Sequence, residues 1–316
     1  MVFGSDSLRF VLRPSRLCLH LRASLILRCL VLVATFSIVI PLTSAATLTV
    51  QAQPPRLVNG APVLFRVKSR SPLQSLAGSW LGHQIVFSFD ASSKTWFALA
   101  GVSLETTPGL YALELTGERS GNKAAREKLS FTRKFSVMRA NYPKVELTVS
   151  KQFTEPDPNQ VKQIEADQKT KKDYLNRVTP EREWSGSFSA PADAAISDVF
   201  GTQRVFNGKT QSSHQGLDFR VPSGTPVAAM NEGTVLLAQF LYFEGNCVVI
   251  DHGQGLLTIY MHLSQFAVKE GDHLNRGQQV GLSGGTGRAT GPHLHVAVRW
   301  QGTYLDPASL LRLRLP

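Results

Sequence analysis

His293 and His295, one residue apart near the end of a 316-residue chain, follow three other side chains with similar donor atoms: His214, Asp218 and His262. On an extended strand, side chains i and i+2 point to the same face roughly 6 to 7 Å apart, so both imidazoles of an H-x-H can reach one small site. Imidazole nitrogens and carboxylate oxygens are common protein ligands of catalytic zinc, which takes three of them and leaves a fourth position for water. These residue types therefore offer metal-assisted hydrolysis. His214 and Asp218 stand four positions apart, about 13 Å on a fully extended strand, so joint ligation demands a bend. Gly216, between them, has the backbone freedom to provide one. Neither H-x-x-x-D nor H-x-H is specific by itself; their joint occurrence with a third histidine in one segment gives the pattern its weight.

The elements that must position these residues read as short strands. Leu217 to Val221 would carry Asp218 inward. In Thr258 to Leu263 the alternation predicts Tyr260 and His262 on one face, with Ile259, Met261 and Leu263 on the other. Further strands are predicted at Val227 to Met230, Thr234 to Ala238, Cys247 to Asp251 and Val296 to Trp300, separated by turns rich in Gly, Asn and Asp. Residues 184–316 are thus a predicted all-β domain that holds every candidate site residue. Residues 47–142 read as a second all-β unit, an immunoglobulin-like β-sandwich, from strands at Leu64 to Val67, Trp96 to Leu99, Tyr111 to Leu115 and Leu129 to Val137, with turns at Pro108-Gly109 and Gly121-Asn122. Residues 143–183 between them are predicted to be a helical linker. Asp157-Pro158 signals a helix start, and Val161, Ile164, Leu175 and Val178 recur at helical spacings in a polar stretch from Pro156 to Val178.

A content of 42% hydrophobic and 18% charged residues is that of ordinary globular protein and excludes wholesale disorder. The first 46 residues differ: Arg9, Arg13, Arg16, Arg22 and Arg28 precede an apolar run from Cys29 to Leu42, followed by Thr43-Ser44-Ala45-Ala46. This is the pattern of a secretory signal peptide, with cleavage expected near Ala46 and a destination in the periplasm, cell envelope or extracellular space. An uncleaved membrane anchor is the competing reading, although the run, broken by Thr35 and Ser37, is shorter than the about 20 residues a spanning helix needs. Cys18 and Cys29 fall in this segment and leave Cys247 alone, so a processed chain has no intramolecular disulfide. Five Arg and one Asp give the segment +4, leaving about +7 of the formal +11 for the remainder. A positive balance suits nucleic acid, anionic membrane or an anionic wall polymer, and export selects the wall polymer. Nucleic acid is not an expected partner, and membrane contact is expected only if the N-terminal segment is retained.

From Val199-Phe200-Gly201 to Asp306-Pro307 the chain resembles the lysostaphin-type, LytM-like zinc endopeptidases that cut peptidoglycan. The likeness is carried by His214-Gln215-Gly216-Leu217-Asp218, Gly224-Thr225-Pro226-Val227, Ile250-Asp251-His252-Gly253, Tyr260-Met261-His262-Leu263-Ser264 and the run from Thr286 to His295. It implies the antiparallel β-fold of that family and one zinc ion held by His214, Asp218 and His295. It also implies His262 and His293 as the catalytic pair and peptidoglycan as substrate. Spacing alone does not separate the roles of His293 and His295. Relatives that have lost ligands act as amidase activators, so a non-catalytic murein-binding activator is the alternative, although all five site positions are kept here. The family tyrosine near the site has no assigned counterpart, because Arg204-Val205-Phe206-Asn207-Gly208 occupies the approach to His214. Gly224 to Ala238 and Val268 to Gly281 read like halves of a biotinyl carrier barrel, but Ala229-Met230-Asn231-Glu232 offers no lysine to modify. His252 and His273, in turns, are read as structural or solvent-facing. Gly284 to Gly287 is read as a substrate-lining loop, since no Lys-Ser/Thr follows to cradle phosphate.

Overall fold

The computed structural model describes residues 48–120, 126–147, 155–206 and 210–316. The expected signal and the Gly121-Asn122 turn lie outside the described residues. In chain order the N-terminal strands are β1 (Leu48–Gln53), β2 (Leu57–Val58), β3 (Pro62–Ser69), β4 (Ser75–Trp80), β5 (His83–Val86), β6 (Ser88–Asp90), β7 (Thr95–Gly101), β8 (Gly109–Ser120) and β9 (Arg126–Met138). They pair as two sheets, β1-β3-β7-β6 and β2-β9-β8-β4-β5. The sheets meet on Phe65, Trp80 and Phe135, whose ring centroids lie 5.1 to 6.2 Å apart. The four N-terminal strands expected from the sequence fall inside β3, β7, β8 and β9. On β9 the alternation runs as predicted: Leu129, Phe131, Phe135 and Val137 pack inward while their neighbours face solvent.

β10 (Lys144–Leu147) and α1 (Pro158–Leu175) follow. Asp157 caps the helix by accepting from Asn159 N and Gln160 N, and Gln160 returns a bond to Asp157 N, a reciprocal capping box. The apolar spacing expected of this helix does not define its buried face. Val161 and Val178 are exposed, and Asp167 and Leu175 are the buried residues. The helix docks largely through polar contacts, which is why its sequence lacks a clean apolar stripe: Asp167 accepts from Tyr242 N at 2.6 Å, Lys171 pairs with Glu244 at 2.7 Å, and Arg299 donates to Leu175 O. β10 adds an element that the helical-linker reading did not contain.

The C-terminal strands are β11 (Ile196–Asp198), β12 (Gln203–Phe206), β13 (Thr210–Ser213), β14 (Leu217–Phe219), β15 (Pro226–Ala228), β16 (Gly233–Leu241), β17 (Gly245–Asp251), β18 (Leu256–Leu263), β19 (Gln265–Phe266), β20 (His273–Leu274), β21 (Gln279–Leu282), β22 (Leu294–Trp300) and β23 (Thr303–Leu305), with α2 (Pro307–Arg312) at the end. A sheet in the order β11-β14-β22-β18-β17-β16-β20, with β23 on β22, forms the frame. Its named pairs are antiparallel. β10-β12-β13 and β15-β21-β19 are smaller sheets.

The central strands are buried on both faces, as their near-continuous apolar runs require. Val248, Ile250 and Tyr260 join the main core, whereas Cys247, Val249, Leu257 and Ile259 pack with Leu175 of α1. Residues Ala45–Pro316 form one compact unit, and the main core is continuous from the N-terminal sheets into the C-terminal one. Phe97 meets Trp184 at 6.1 Å, His83 meets Trp300 at 5.0 Å, and Arg66 donates to Arg314 O at 2.9 Å. No helix among the described residues is long and apolar enough to cross a membrane.

Candidate metal centre

Two adjacent strands and the segment leading into the first of them bring the expected ligands together. Asp218 on β14 sits opposite His295 on β22, and His295 lies opposite Met261 on β18. His214 follows β13 and is pinned through its backbone, its N–H donating to Thr202 O at 2.8 Å and its carbonyl accepting from Gly201 N at 2.8 Å. The three donor atoms converge: His214 Nε2 is 3.0 Å from Asp218 Oδ1 and 3.0 Å from His295 Nδ1, and His295 Nδ1 is 2.7 Å from Asp218 Oδ1. All three residues are buried. Burial by itself pushes the Asp218 carboxyl up, but its hydrogen bonds with His214 and His295 hold it well below the usual carboxylate range. Burial lowers the affinity of His295 for a proton. The three groups therefore direct one carboxylate oxygen and two imidazole nitrogens toward one point.

Gly216 lies in the short segment that joins β13 to β14, where the sequence asked for a bend, and it is needed there for a steric reason as well. It does not adopt a positive φ. A Cβ placed there would lie 2.3 Å from His295 Nε2 and 2.6 Å from Val296 O. The missing side chain makes room for the His295 ring.

His262 and His293 stand beside this set, their ring centroids 4.8 Å apart, with His262 6.1 Å from His295. His262 takes φ 62°, a left-handed conformation uncommon outside glycine and a form of strain that recurs at functional sites. The β17-β18 register also shifts in this stretch. The expected alternation accordingly breaks: Leu263 joins the core of Tyr260 rather than that of Ile259. His293 lies just before β22, in an isolated bridge with Gly284, not within the strand.

Each of these two rings meets a backbone carbonyl, His262 Nδ1 to Thr286 O and His293 Nδ1 to Gly291 O, both at 2.8 Å. A carbonyl only accepts, so Nδ1 carries the hydrogen in both, and in the neutral form of either ring Nε2 holds the lone pair. Burial, with His295 and His293 nearby, pushes His262 down to about 3, so that ring is neutral near pH 7.

Sequence reasoning left Arg204 unassigned and missed Asp198. Arg204 donates to Asp198 Oδ2 through Nε and Nη2, and Nη2 also reaches Asp218 Oδ2 at 2.8 Å. The guanidinium thus holds the outer oxygen of Asp218 and leaves Oδ1 facing the histidines, the role outer-shell partners play at metal sites. Asp198 Oδ2 lies 3.4 Å from His214 Nδ1, which also contacts Val199 O at 2.9 Å. Asp198 and Asp218 are register partners across β11 and β14, a proximity that no spacing in the sequence reveals. His252 is fully buried against Glu232 O and Thr258, and His273 is exposed beside Glu183. Both lie away from the cluster.

A β-framed cleft with a His-Asp-His set and two adjacent histidines has the residue types of a metal-assisted hydrolytic site. Residues 212–307, which contain all five of these side chains, match Peptidase family M23, and this segment of the chain is a domain of that family. The chain is 43% identical over 122 residues to the peptidoglycan DD-endopeptidase ShyA of Vibrio cholerae, the match covering 38% of this chain and 28% of that protein. It is 39% identical over 115 residues to the DD-carboxypeptidase/endopeptidase Mpg of Neisseria meningitidis, covering 36% of this chain and 26% of that one. The match thus spans less than a third of the length of these curated relatives. A crystal structure from Pseudomonas aeruginosa, described as a candidate M23 peptidase, is similar across 81% of this chain and 95% of its own, with 27% identity and a TM-score of 0.60.

Proposed function

We propose that this chain is an exported zinc endopeptidase that hydrolyses peptide bonds in peptidoglycan stem peptides or cross-links. The observation that carries the reading is the convergence of His214 Nε2, Asp218 Oδ1 and His295 Nδ1 beside the His262–His293 pair. Ligand atoms about 2.0 to 2.1 Å from a tetrahedral zinc stand about 3.3 Å from one another, so donors 2.7 to 3.0 Å apart need only a small spread to hold the ion. Two neutral imidazole nitrogens and one carboxylate oxygen are also the donor chemistry zinc takes. His214, Asp218 and His295 are the assigned ligands, one ion per chain.

Zinc bound there would lower the pKa of a water from 15.7 to about 7 and polarise the scissile carbonyl. The chain's own residues supply the proton traffic. His262 Nε2 and His293 Nε2, each with a lone pair fixed by the hydrogen bond at Nδ1, are placed to take a proton from the attacking water and return it to the departing amine. Whichever ring is protonated or donating stabilises the developing oxyanion. Export is supported by the basic and apolar N-terminal segment, and peptidoglycan by the names of the relatives ShyA and Mpg.

A purified chain beginning near Thr47 should contain about one zinc per molecule and release peptides with new amino termini from isolated sacculi, read by mass spectrometry. Bound zinc with no release, together with stimulation of a separate amidase, would instead support the murein-binding activator.

A further inference from the structure

The cleft beside the metal centre has a volume of about 340 Å³ and is lined by three arginines, Arg204, Arg220 and Arg288, against two aspartates, Asp198 and Asp218. These arginines are not equivalent. Arg204 is committed to Asp198 and Asp218. Arg288 is held in place by its backbone N–H on Phe243 O at 2.9 Å and by its guanidinium 4.5 Å from the Phe243 ring centroid. Burial lowers the proton affinity of Arg288, and Glu244 restores part of it. An arginine starts so far above neutral pH that the guanidinium keeps its charge.

Arg220 comes from strand geometry. It stands two residues after Asp218, and alternation along the β14 segment sends both side chains to the cleft side. Its backbone N–H is tied to Ala195 O at 2.8 Å, while the side chain is exposed in the cleft. Among the described residues, no hydrogen bond or ion pair engages its guanidinium. A fixed backbone, a charged fork open to the cleft and a positive balance in the lining suit an anion with two coplanar oxygens.

We propose that Arg220, with Arg288 lining the same cleft, forms a subsite that recognises a carboxylate on the substrate peptide close to the scissile bond. The inference rests on the hydrolase reading above and adds a specificity determinant to it. Uncharged peptides of the same sequence would be poorer substrates because they lack the group that pairs with the guanidinium, whereas the metal ligands and the two catalytic histidines would treat both alike.

The test uses the full zinc-loaded chain and pairs of stem peptides identical except that their carboxylates are free or amidated. The wild type should show a kcat/KM ratio favouring the free acid by about tenfold or more, the scale of one charged hydrogen bond. Arg220→Gln should bring that ratio near one, and Arg220→Lys should keep part of it, with zinc per chain equal in all three. A wild-type ratio near one, or an unchanged ratio in Arg220→Gln, overturns the subsite. If zinc-loaded wild type cleaves neither peptide, the hydrolase reading fails separately and calorimetric binding decides the subsite. Tighter binding of the free acid that Arg220→Gln loses supports it; equal binding of both peptides, or none, overturns it.

Discussion

In the proposed mechanism, five side chains at the site divide by what each does with its nitrogen or oxygen. A ligand must give a deprotonated donor to the metal, so His214→Ala, Asp218→Ala and His295→Ala are each expected to lose zinc and hydrolysis together. His262 and His293 are proposed to act on protons, so His262→Ala and His293→Ala should keep near-stoichiometric zinc while losing roughly 10² to 10⁴ in rate. Zinc analysis alongside sacculus hydrolysis separates the two groups, and a His293→Ala protein that loses its metal while His295→Ala keeps it would exchange their roles. Arg204 belongs to neither group. It holds the outer oxygen of Asp218 and the carboxylate of Asp198. Arg204→Ala should weaken zinc affinity roughly 10- to 100-fold. Competition with a chelator measures this, and unaltered affinity would reduce the Arg204–Asp218 contact to surface pairing.

Single elements carry the site by fixing the segments between them. The turn from β16 to β17 runs through Tyr242, Phe243 and Glu244, and all three make a tertiary contact. Tyr242 N donates to Asp167, Phe243 lies under Arg288, and Glu244 O accepts from His262 N at 2.8 Å. α1 therefore reaches the cleft through this turn. Asp167 is buried and accepts from Tyr242 N and from Gln163 Nε2 at 2.6 and 2.8 Å. Asp167→Ala takes that acceptor away and should destabilise the fold by roughly 1 to 3 kcal/mol. Denaturant unfolding reads the loss, and amide exchange at Tyr242 should speed more than at residues of β9 in the N-terminal sheets. A uniform change along the chain would mean that α1 acts only through general stability.

For the whole molecule, pH and the N-terminal sheets are the two levers. His252 is buried in the main unit, with Nδ1 2.5 Å from Glu232 O and Nε2 2.8 Å from Thr258 Oγ1, and burial pushes it down to about 4. The unfolded chain binds this proton near pH 6.5 and the folded one only near 4. The contribution is therefore complete above pH 6.5 and is lost as the pH falls toward 4, at most roughly 3 kcal/mol. Melting temperatures of chelator-treated protein between pH 7 and 4.5 should fall, and His252→Gln should flatten that slope; an identical slope in the variant assigns it to other groups. The N-terminal sheets supply no ligand, yet they pack Phe97 on Trp184 and set Gly101 against Leu305. Glu105, in the β7–β8 loop, lines the same cavity as His214 and His295. A chain beginning near Trp184 is expected to bind about one zinc, melt below the full chain, and act faster on sacculi because Glu105 no longer borders the groove. Equal or lower specific activity would count against such gating.

Local pattern was enough for many of the strands, because a period of two depends only on neighbouring residues: β3, β7, β9, β17 and β22 contain the segments expected of them, whereas the strand expected at Val227 to Met230 stops at Ala228. Asp157 marked its helix start for the same reason, since a cap acts within three residues. The likeness of residues 212–307 to a peptidase family was also legible, because five side chains and their flanking glycines are written in order along the chain. The rest belonged to contacts between distant segments. Which imidazole of the H-x-H faces Asp218 follows from the β14–β22 register, and the turn of His262 from a left-handed backbone. The need for Gly216 follows from the His295 ring above it, and the Arg204 bridge from two carboxylates on neighbouring strands. α1 was misread at Val161 because its docking is by hydrogen bonds and an ion pair, which leave no apolar period in the sequence. Sequence determined many of the strands, the helix start and the donor set; pairing across the sheet determined which atoms meet, because register and steric fit exist only once the strands lie side by side.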